Sequence, residues 1–323
     1  MNAKRSVLIL AVMLLGVVDS APAARLGTNI IGLFPKEVGE FAYADLKTAR
    51  RHSWFPQLKQ QMLPSRFRQF EEFLASAGMD PNTQVEELAW GATFPSGSTP
   101  ELIVGVALGQ FQPTAAEEFY KAQKLPTFTQ RGYTLFAFGS GAGAADLFFF
   151  FIDSNTAAFG HRSLLEKLIE VRFGAAESLL RDEQLMPLIN DANGRGIVWA
   201  VLNKSYTRLA FYQLVPEATQ FPDSEQLLGR INAMIINIEA DRGVDARFQA
   251  ICASPDDANT FAALLQAAVM YRRFQEQQAN PEMARMLDGA QVAPRGDRLE
   301  MRIAVNEEQM KELLKRNTFA VRM

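Results

Sequence analysis

Apolar residues recur with two different periods along this chain, and the switches between them mark its elements. Phe67, Phe70, Phe73, Leu74 and Ala77 repeat at three- and four-residue intervals and stop at Gly78, the stripe of one amphipathic helix ended by a glycine. A short strand from Phe41 to Leu46 precedes it. Val85 to Phe94 and Glu101 to Leu108 are β-rich apolar runs separated by Pro95-Ser96-Gly97-Ser98-Thr99-Pro100, whose turn chemistry predicts a hairpin. Thr114 and Glu117, just after Pro113, have the spacing of a capping box, and Phe119 with Tyr120 begins the stripe of the helix it opens. Strands are expected at Thr127 to Phe138, Asp146 to Ile152 and Thr156 to Phe159. Ser163 and Glu166 predict a second capping box for a helix closing at Gly174.

The second half repeats this order. A strand from Ile197 to Leu202 opens it, and two more follow around the Asp241-Arg242-Gly243 turn. Met234, Ile236 and Ile238 alternate with Ile235, Asn237 and Glu239, and Val244, Ala246, Phe248 and Ala250 alternate with Asp245, Arg247 and Gln249, which predicts one wetter face per strand. Ser254, reaching Asp257 across Pro255, caps a long helix striped by Phe261, Leu264, Leu265, Ala268 and Tyr271. Leu299, Met301, Ile303 and Val305 form a last alternating strand, and Asn306 to Gln309 caps the last helix. The fold expected is α+β, built as two similar halves of mainly antiparallel sheet with helices packed on one face. Its parts are 1–23, an N-terminal half 24–193 and a C-terminal half 194–323, divided at the turn-rich Asn193-Gly194-Arg195-Gly196.

The strand after Pro35, the stretch Gly78-Met79-Asp80-Pro81 before Val85 to Gly91, the apolar hairpin and the late helix after Cys252 resemble a family of exported bacterial proteins of unassigned function with duplicated α+β domains. The resemblance covers most of the chain, lies in hydrophobic pattern and turns, and implies a fold but no catalytic residues.

Residues 1–23 have the three parts of a secretory signal: Lys4 and Arg5, an apolar run from Val7 to Val18, and Ala21-Pro22-Ala23 as a cleavage site. The apolar run is too short to span a bilayer, so export to the periplasm or medium is expected. Asp19 beside the cleavage site keeps open an uncleaved signal that holds the protein at the membrane. The single cysteine, Cys252, excludes an internal disulfide framework, and the balance of 33 Lys+Arg against 36 Asp+Glu leaves no electrostatic footprint for nucleic acid. The 24 Phe against 6 Tyr supply large side chains that need no hydrogen-bond partner, so a well-filled apolar core is expected.

The candidate chemistry is thin. Gly139-Ser140-Gly141-Ala142-Gly143 has the glycine content of a phosphate loop, but it lies between two strands and no Lys-Ser/Thr follows, so it reads as a hairpin. His161 with Ser163 stands at a helix start, and His52 lies among Arg50, Arg51 and Trp54. Neither has the spacing of a metal site or a catalytic motif, so no metal and no cofactor are expected. Cys252 falls on the apolar side of its strand and reads as an inert buried thiol. Asp182-Glu183 and Asp256-Asp257 suit helix first turns rather than a glycosidase pair. Arg247, Arg298 and Arg302 with Glu239, Asp245 and Glu300 read as cross-strand ion pairs on a solvated sheet face.

Leu147-Phe148-Phe149-Phe150-Phe151-Ile152 is the most informative stretch, because a strand with four consecutive Phe puts apolar side chains on both faces of its sheet. Helices sandwich it, or one face lines an apolar cavity, or a partner covers it. Leu102 to Leu108 is also continuously apolar while the second-half strands alternate, so extra cover is expected on the first half alone. The reading that follows is an exported, non-enzymatic protein that binds an apolar small molecule or an envelope protein through its first half, with Phe148 and Phe150 as candidate ligand-binding residues. The alternatives are an exported hydrolase using His161 or Ser205, and a structural protein anchored by its signal.

Overall fold

The computed structural model describes residues 24–63, 65–76, 78–94, 101–143, 146–214, 224–240 and 243–319. The signal expected at 1–23, the turn expected at 95–100 and the turn expected at Asp241-Arg242 lie outside the described residues.

In chain order the elements are α1 (Thr28–Ile31), β1 (Glu40–Asp45), α2 (Leu46–Ala49), α3 (Phe55–Met62), α4 (Ser65–Ser76), α5 (Pro81–Gln84), β2 (Val85–Thr93) and β3 (Leu102–Gly109). Then come α6 (Pro113–Ala122), β4 (Thr127–Gln130), β5 (Tyr133–Phe138), β6 (Leu147–Phe151), β7 (Thr156–His161), α7 (Arg162–Arg172) and α8 (Leu185–Ala192). The remainder is β8 (Val198–Asn203), α9 (Lys204–Leu214), α10 (Ser224–Leu228), β9 (Ile231–Ala240), β10 (Gly243–Cys252), α11 (Pro255–Ala279), α12 (Pro281–Asp288), β11 (Gln291–Arg295), β12 (Arg298–Asn306) and α13 (Glu307–Lys315).

These form two compact units, residues 25–47 with 63–186, and residues 48–62 with 187–323. In the first, the strands lie in the order β1-β2-β3-β7-β6-β5-β4, every neighbouring pair antiparallel. In the second the order is β8-β9-β10-β12-β11, again antiparallel throughout. Each unit therefore runs strand, helices, hairpin, helix, hairpin, helix, and in each the last strand returns beside the third. The fold is α+β and pseudo-duplicated, and the first unit carries one additional edge hairpin, β4–β5.

In β6 all five residues are buried, and the pleat explains how. Phe149 and Phe151 point to one face, where Phe70 and Phe73 of α4 and Tyr120 of α6 close over them; Tyr120 and Phe149 have ring centroids 5.0 Å apart. Phe148 and Phe150 point to the other, where Phe150 meets Tyr133 at 5.0 Å and Tyr133 meets Phe173 at the end of α7. Each buried Phe contributes about 1.5 to 3 kcal/mol, so this strand is firmly anchored in its unit.

Four details correct the sequence reading. Thr114 is not the cap of α6: Pro113 takes the first helical position, so the half-in residue is Gln112, which makes no side-chain cap bond. Ser163 does not cap α7 either. His161 occupies the cap position without a side-chain bond, and Glu166 pairs with Arg162 at 2.7 Å. The stretch 127–138 is not one strand but the hairpin β4–β5, turned by Arg131 (φ 46°) and Gly132 (φ 88°), the left-handed pair of a type I′ turn. Finally, cover on both faces is not confined to the first half. Within β9 every residue from Ala233 to Ile238 is buried, so both faces of this strand are covered. Asn237, the polar residue that suggested a wet face, is buried with its amide donating to the carbonyls of Ala192 (3.3 Å) and Arg195 (2.8 Å).

The expected caps at Ser254 and Asn306 are present. Ser254 accepts from the Asp257 N–H, and Asn306 with Gln309 makes a reciprocal capping box.

Candidate functional site

The site begins at the end of α4. Gly78 takes φ +75°, its N–H bonds to the Ala75 carbonyl at 3.0 Å, and the Met79 N–H reaches the Leu74 carbonyl at 3.1 Å, the paired bonds of a Schellman turn. The turn drives Met79 into the apolar cluster under α4. Asp80 then caps α5 by accepting from the Asn82 N–H at 2.9 Å, with Pro81 at the first helical position. Helix, turn and short helix together make a roof over β3, β6 and β7.

The floor beneath is uneven for a simple reason. Ala107 of β3 and Ala157 of β7 are direct cross-strand partners, and their methyl groups leave a low spot between the rings of Phe149, Phe151 and Phe159. Gly105 deepens the packing beside it, since the tip of the Phe159 ring occupies the space a side chain at 105 would fill. Phe111 meets Phe151 at 6.0 Å and closes one end, while Phe70 meets Phe149 at 5.7 Å and Phe159 at 6.3 Å under the roof. The result is an open cleft enclosing about 50 Å³, with Leu74, Met79, Pro81, Gln84 and Val85 completing its wall. That is room for a few water-sized groups.

Gln84 is the polar member of the lining, and its Oε1 is buried without a hydrogen-bond partner. Its backbone is fixed: the Gln84 carbonyl accepts from the Gln110 N–H at 3.1 Å and lies so close to Gly109 that no Cβ fits there. Nothing in the sequence pattern singles Gln84 out, because a lone Gln at a helix-to-strand junction carries no signal.

Phe148 and Phe150 lie on the other face of β6 from this cleft, in the core beneath α7. Their neighbours Phe149 and Phe151 form its wall.

The remaining candidates have structural partners. Gly139 to Gly143 forms the exposed turn between β5 and β6, where Asp146 accepts from Ser140 Oγ (2.8 Å) and the Gly143 N–H (2.9 Å). His161 Nδ1 accepts from the Ile103 N–H at 2.9 Å, and Ser205 is exposed with its N–H donating to Asn203 Oδ1 at 3.1 Å. Neither bond pairs a base with a nucleophile. Cys252 is buried; burial and then the charge of Asp257 push its thiol up to about 11, with a hydrogen bond to the Leu299 backbone opposing them and the charge of Asp297 adding least. Asp182 caps α8 by accepting from the Leu185 N–H, and Asp257 pairs with Arg230 at 2.8 Å. Arg247 and Arg302 face each other directly across β10 and β12, and Asp245 bonds both. Arg298 pairs with Asp191 at 2.8 Å, and Glu300 with Arg295 at 2.8 Å. Among the described residues no three His, Cys, Asp or Glu side chains converge on one point, and no helix is long and apolar enough to cross a membrane.

The burial of two ionisable groups, Glu40 and His52, escaped the sequence reading. Glu40 is fully buried in β1, one oxygen accepting from Trp90 Nε1 at 3.2 Å and the other without a partner. His52 is buried against the Trp54 ring, 5.5 Å between centroids, with Nε2 unpartnered.

Fold and site together define an α+β protein of two similar halves with an apolar cleft in the first. No family model matches the chain, and no curated protein sequence matches it. Among solved structures, crystal form I of TP0453 covers 92% of this chain and 100% of its own, at 10% identity and a TM-score of 0.49. So loose a likeness fixes neither ligand nor partner.

Proposed function

We propose that this is an exported, non-enzymatic protein of the duplicated α+β kind that holds an apolar small molecule in the cleft of its first unit. The observation that supports the reading is the lining itself: aromatic and aliphatic side chains around a depression floored by two alanines, with one polar residue among them. The leader at 1–23 supports export. The ligand works by covering the partly exposed Leu74, Phe111 and Phe159, removing apolar surface that water otherwise meets at a cost of about 25 cal/mol per Å².

Native mass spectrometry of protein recovered from the periplasm tests this. A bound apolar mass is expected on the wild type and is absent from Ala157→Leu, whose larger side chain fills the floor. A bare, homogeneous mass in several preparations, with no uptake of added ligand, counts against the reading.

A second reading, contact with an envelope protein, is favoured by one observation in the second unit. Leu264, Met270, Tyr271 and Phe274 of α11 are exposed, Phe274 at 73%, and helical geometry gathers them within about a third of the circumference. A photo-crosslinking residue at position 274 is expected to trap one protein reproducibly; scattered or absent adducts dismiss it.

A further inference from the structure

What the cleft of the first unit withholds narrows what it can hold. The surface it presents is apolar almost throughout, and Gln84, though part of the wall, has an Oε1 without accessible surface. The backbone beneath is already paired: Ala107 lies between Leu88 and Ala157, and Ala157 pairs in turn with Phe151. Pro81 in the roof has no N–H to give. Among the described residues the cleft thus presents an entering group with neither donor nor acceptor, and a polar group placed there loses its water without replacement. Size is the second limit. An apolar cavity of about 150 Å³ takes a benzene ring. This one encloses about 50 Å³, by proportion room for about two carbons.

From these two limits we infer that the cleft takes the methyl end of an unbranched alkyl chain, tail first, with the polar head of the molecule left in solvent outside. The inference rests on the apolar-ligand reading above and narrows it to a chain and an orientation. The terminal carbons lie over Ala107 and Ala157, in the low spot between the rings of Phe149, Phe151 and Phe159. The following carbons leave through the open side and cover the partly exposed Leu74 and Phe111. Close contact rather than hydrogen bonding sets the fit, so the site reads the width of what enters: a chain end passes and a ring does not. An aliphatic side chain of a partner protein has a similar end, but it brings peptide groups within a few bonds of the opening, where paired strands and Pro81 leave them without partners.

The probes are 1-octanol, octylammonium, which changes only the head, and 2-cyclohexylethanol, which keeps the carbon number and the hydroxyl but closes the far end into a ring. Calorimetric titration of the full chain is expected to give 1-octanol and octylammonium dissociation constants within about threefold of each other. It is expected to find 2-cyclohexylethanol about tenfold weaker than 1-octanol, equivalent to about 1.4 kcal/mol. Leu74→Ala widens the wall and is expected to close that gap to within about threefold; should it not fold, Val85→Ala takes its place with the same expectation. A ring that binds the wild type as well as the chain does, or a gap unchanged in the widened variant, overturns the chain-end inference and leaves the apolar-ligand reading standing. So does octylammonium binding more than about tenfold more weakly than 1-octanol, because the head must then enter the cleft. Failure of the wild type to bind any of the three overturns both. Vesicles of palmitoyl-oleoyl-phosphatidylcholine identify the source of the chain. Sedimentation of the protein with them that 1-octanol competes away assigns a bilayer lipid, and 1-octanol binding without sedimentation assigns a free amphiphile, either result supporting the inference.

Discussion

At the residue scale two buried ionisable groups make the protein's stability respond to pH in opposite directions. Glu40 is pushed up to about 8, first by burial and then by the charge of Glu101, against a smaller opposing effect of the Trp90 hydrogen bond. The folded state therefore holds a proton between about 4.5 and 8 that the unfolded chain has released, and the contribution is complete below the unfolded value and lost as pH rises through 8. His52 is lowered to about 4, mainly by burial, with Glu307 opposing and Arg51 assisting. It is neutral when folded, so its contribution is present above about 6.5 and lost as pH falls towards 4. Melting temperatures across pH 4 to 9 check both: Glu40→Gln is expected to remove the alkaline decline and His52→Phe the acid one, each leaving the other limb unchanged. A decline that persists in its own variant contradicts the assignment. The burial of neither group was legible in the sequence. Glu40 stands at the entrance of an apolar run and reads as a solvated strand end, and His52 sits among arginines, so only the packing of β1 and of the segment before α3 reveals them.

At the element scale β6 carries the most weight. Phe149 touches Phe70, Phe73, Tyr120 and Phe136, so Phe149→Ala opens a void between sheet and roof. The expected loss is about 3 to 5 kcal/mol, read as a lower denaturation midpoint at unchanged slope. A loss under about 1 kcal/mol contradicts the packing described. Periodicity gave the strands and most helices here because burial imposes it. It did not give the cap of α6, because a capping box and a proline at the first helical position make competing claims on neighbouring residues, and at Pro113 the fixed φ prevails; at α7 the Glu166 side chain is taken by Arg162 instead of completing a box with Ser163. The hairpin tip at Arg131-Gly132 was hidden by Arg131, a residue that seldom adopts positive φ. The cleft was half legible: four consecutive Phe require cover on both faces, but which pair lines a cavity depends on where Ala107 and Ala157 fall in register, and that is set by pairing between distant segments.

At the scale of the whole molecule the duplication organises everything else. Both units bring their last strand beside their third, yet α6 in the first is matched by the much longer α11 in the second, and the β4–β5 hairpin is added only to the first. That hairpin contributes Phe136 and Phe138 to the aromatic cluster beneath α4 and α6, so the unit with the larger sheet is also the one with the ring-lined cleft. The counterpart cluster under α11 is built mainly from Leu, Ile and Ala around Phe261. The recurrence of element order could be read from the sequence, since it rests on hydrophobic period alone. The growth of one copy by a hairpin could not, because the stretch from Thr127 to Phe138 has the composition of a single strand. Two methionines report on the two candidate surfaces: Met79 lines the cleft and Met270 lies exposed on α11. Methyl NMR of the intact protein during titration with 1-octanol is therefore the most direct measurement. A saturable shift of the Met79 signal with Met270 unmoved is predicted; a shift of Met270 with Met79 unchanged, or no saturable shift at all, contradicts the proposal that the first unit's cleft is where the ligand sits.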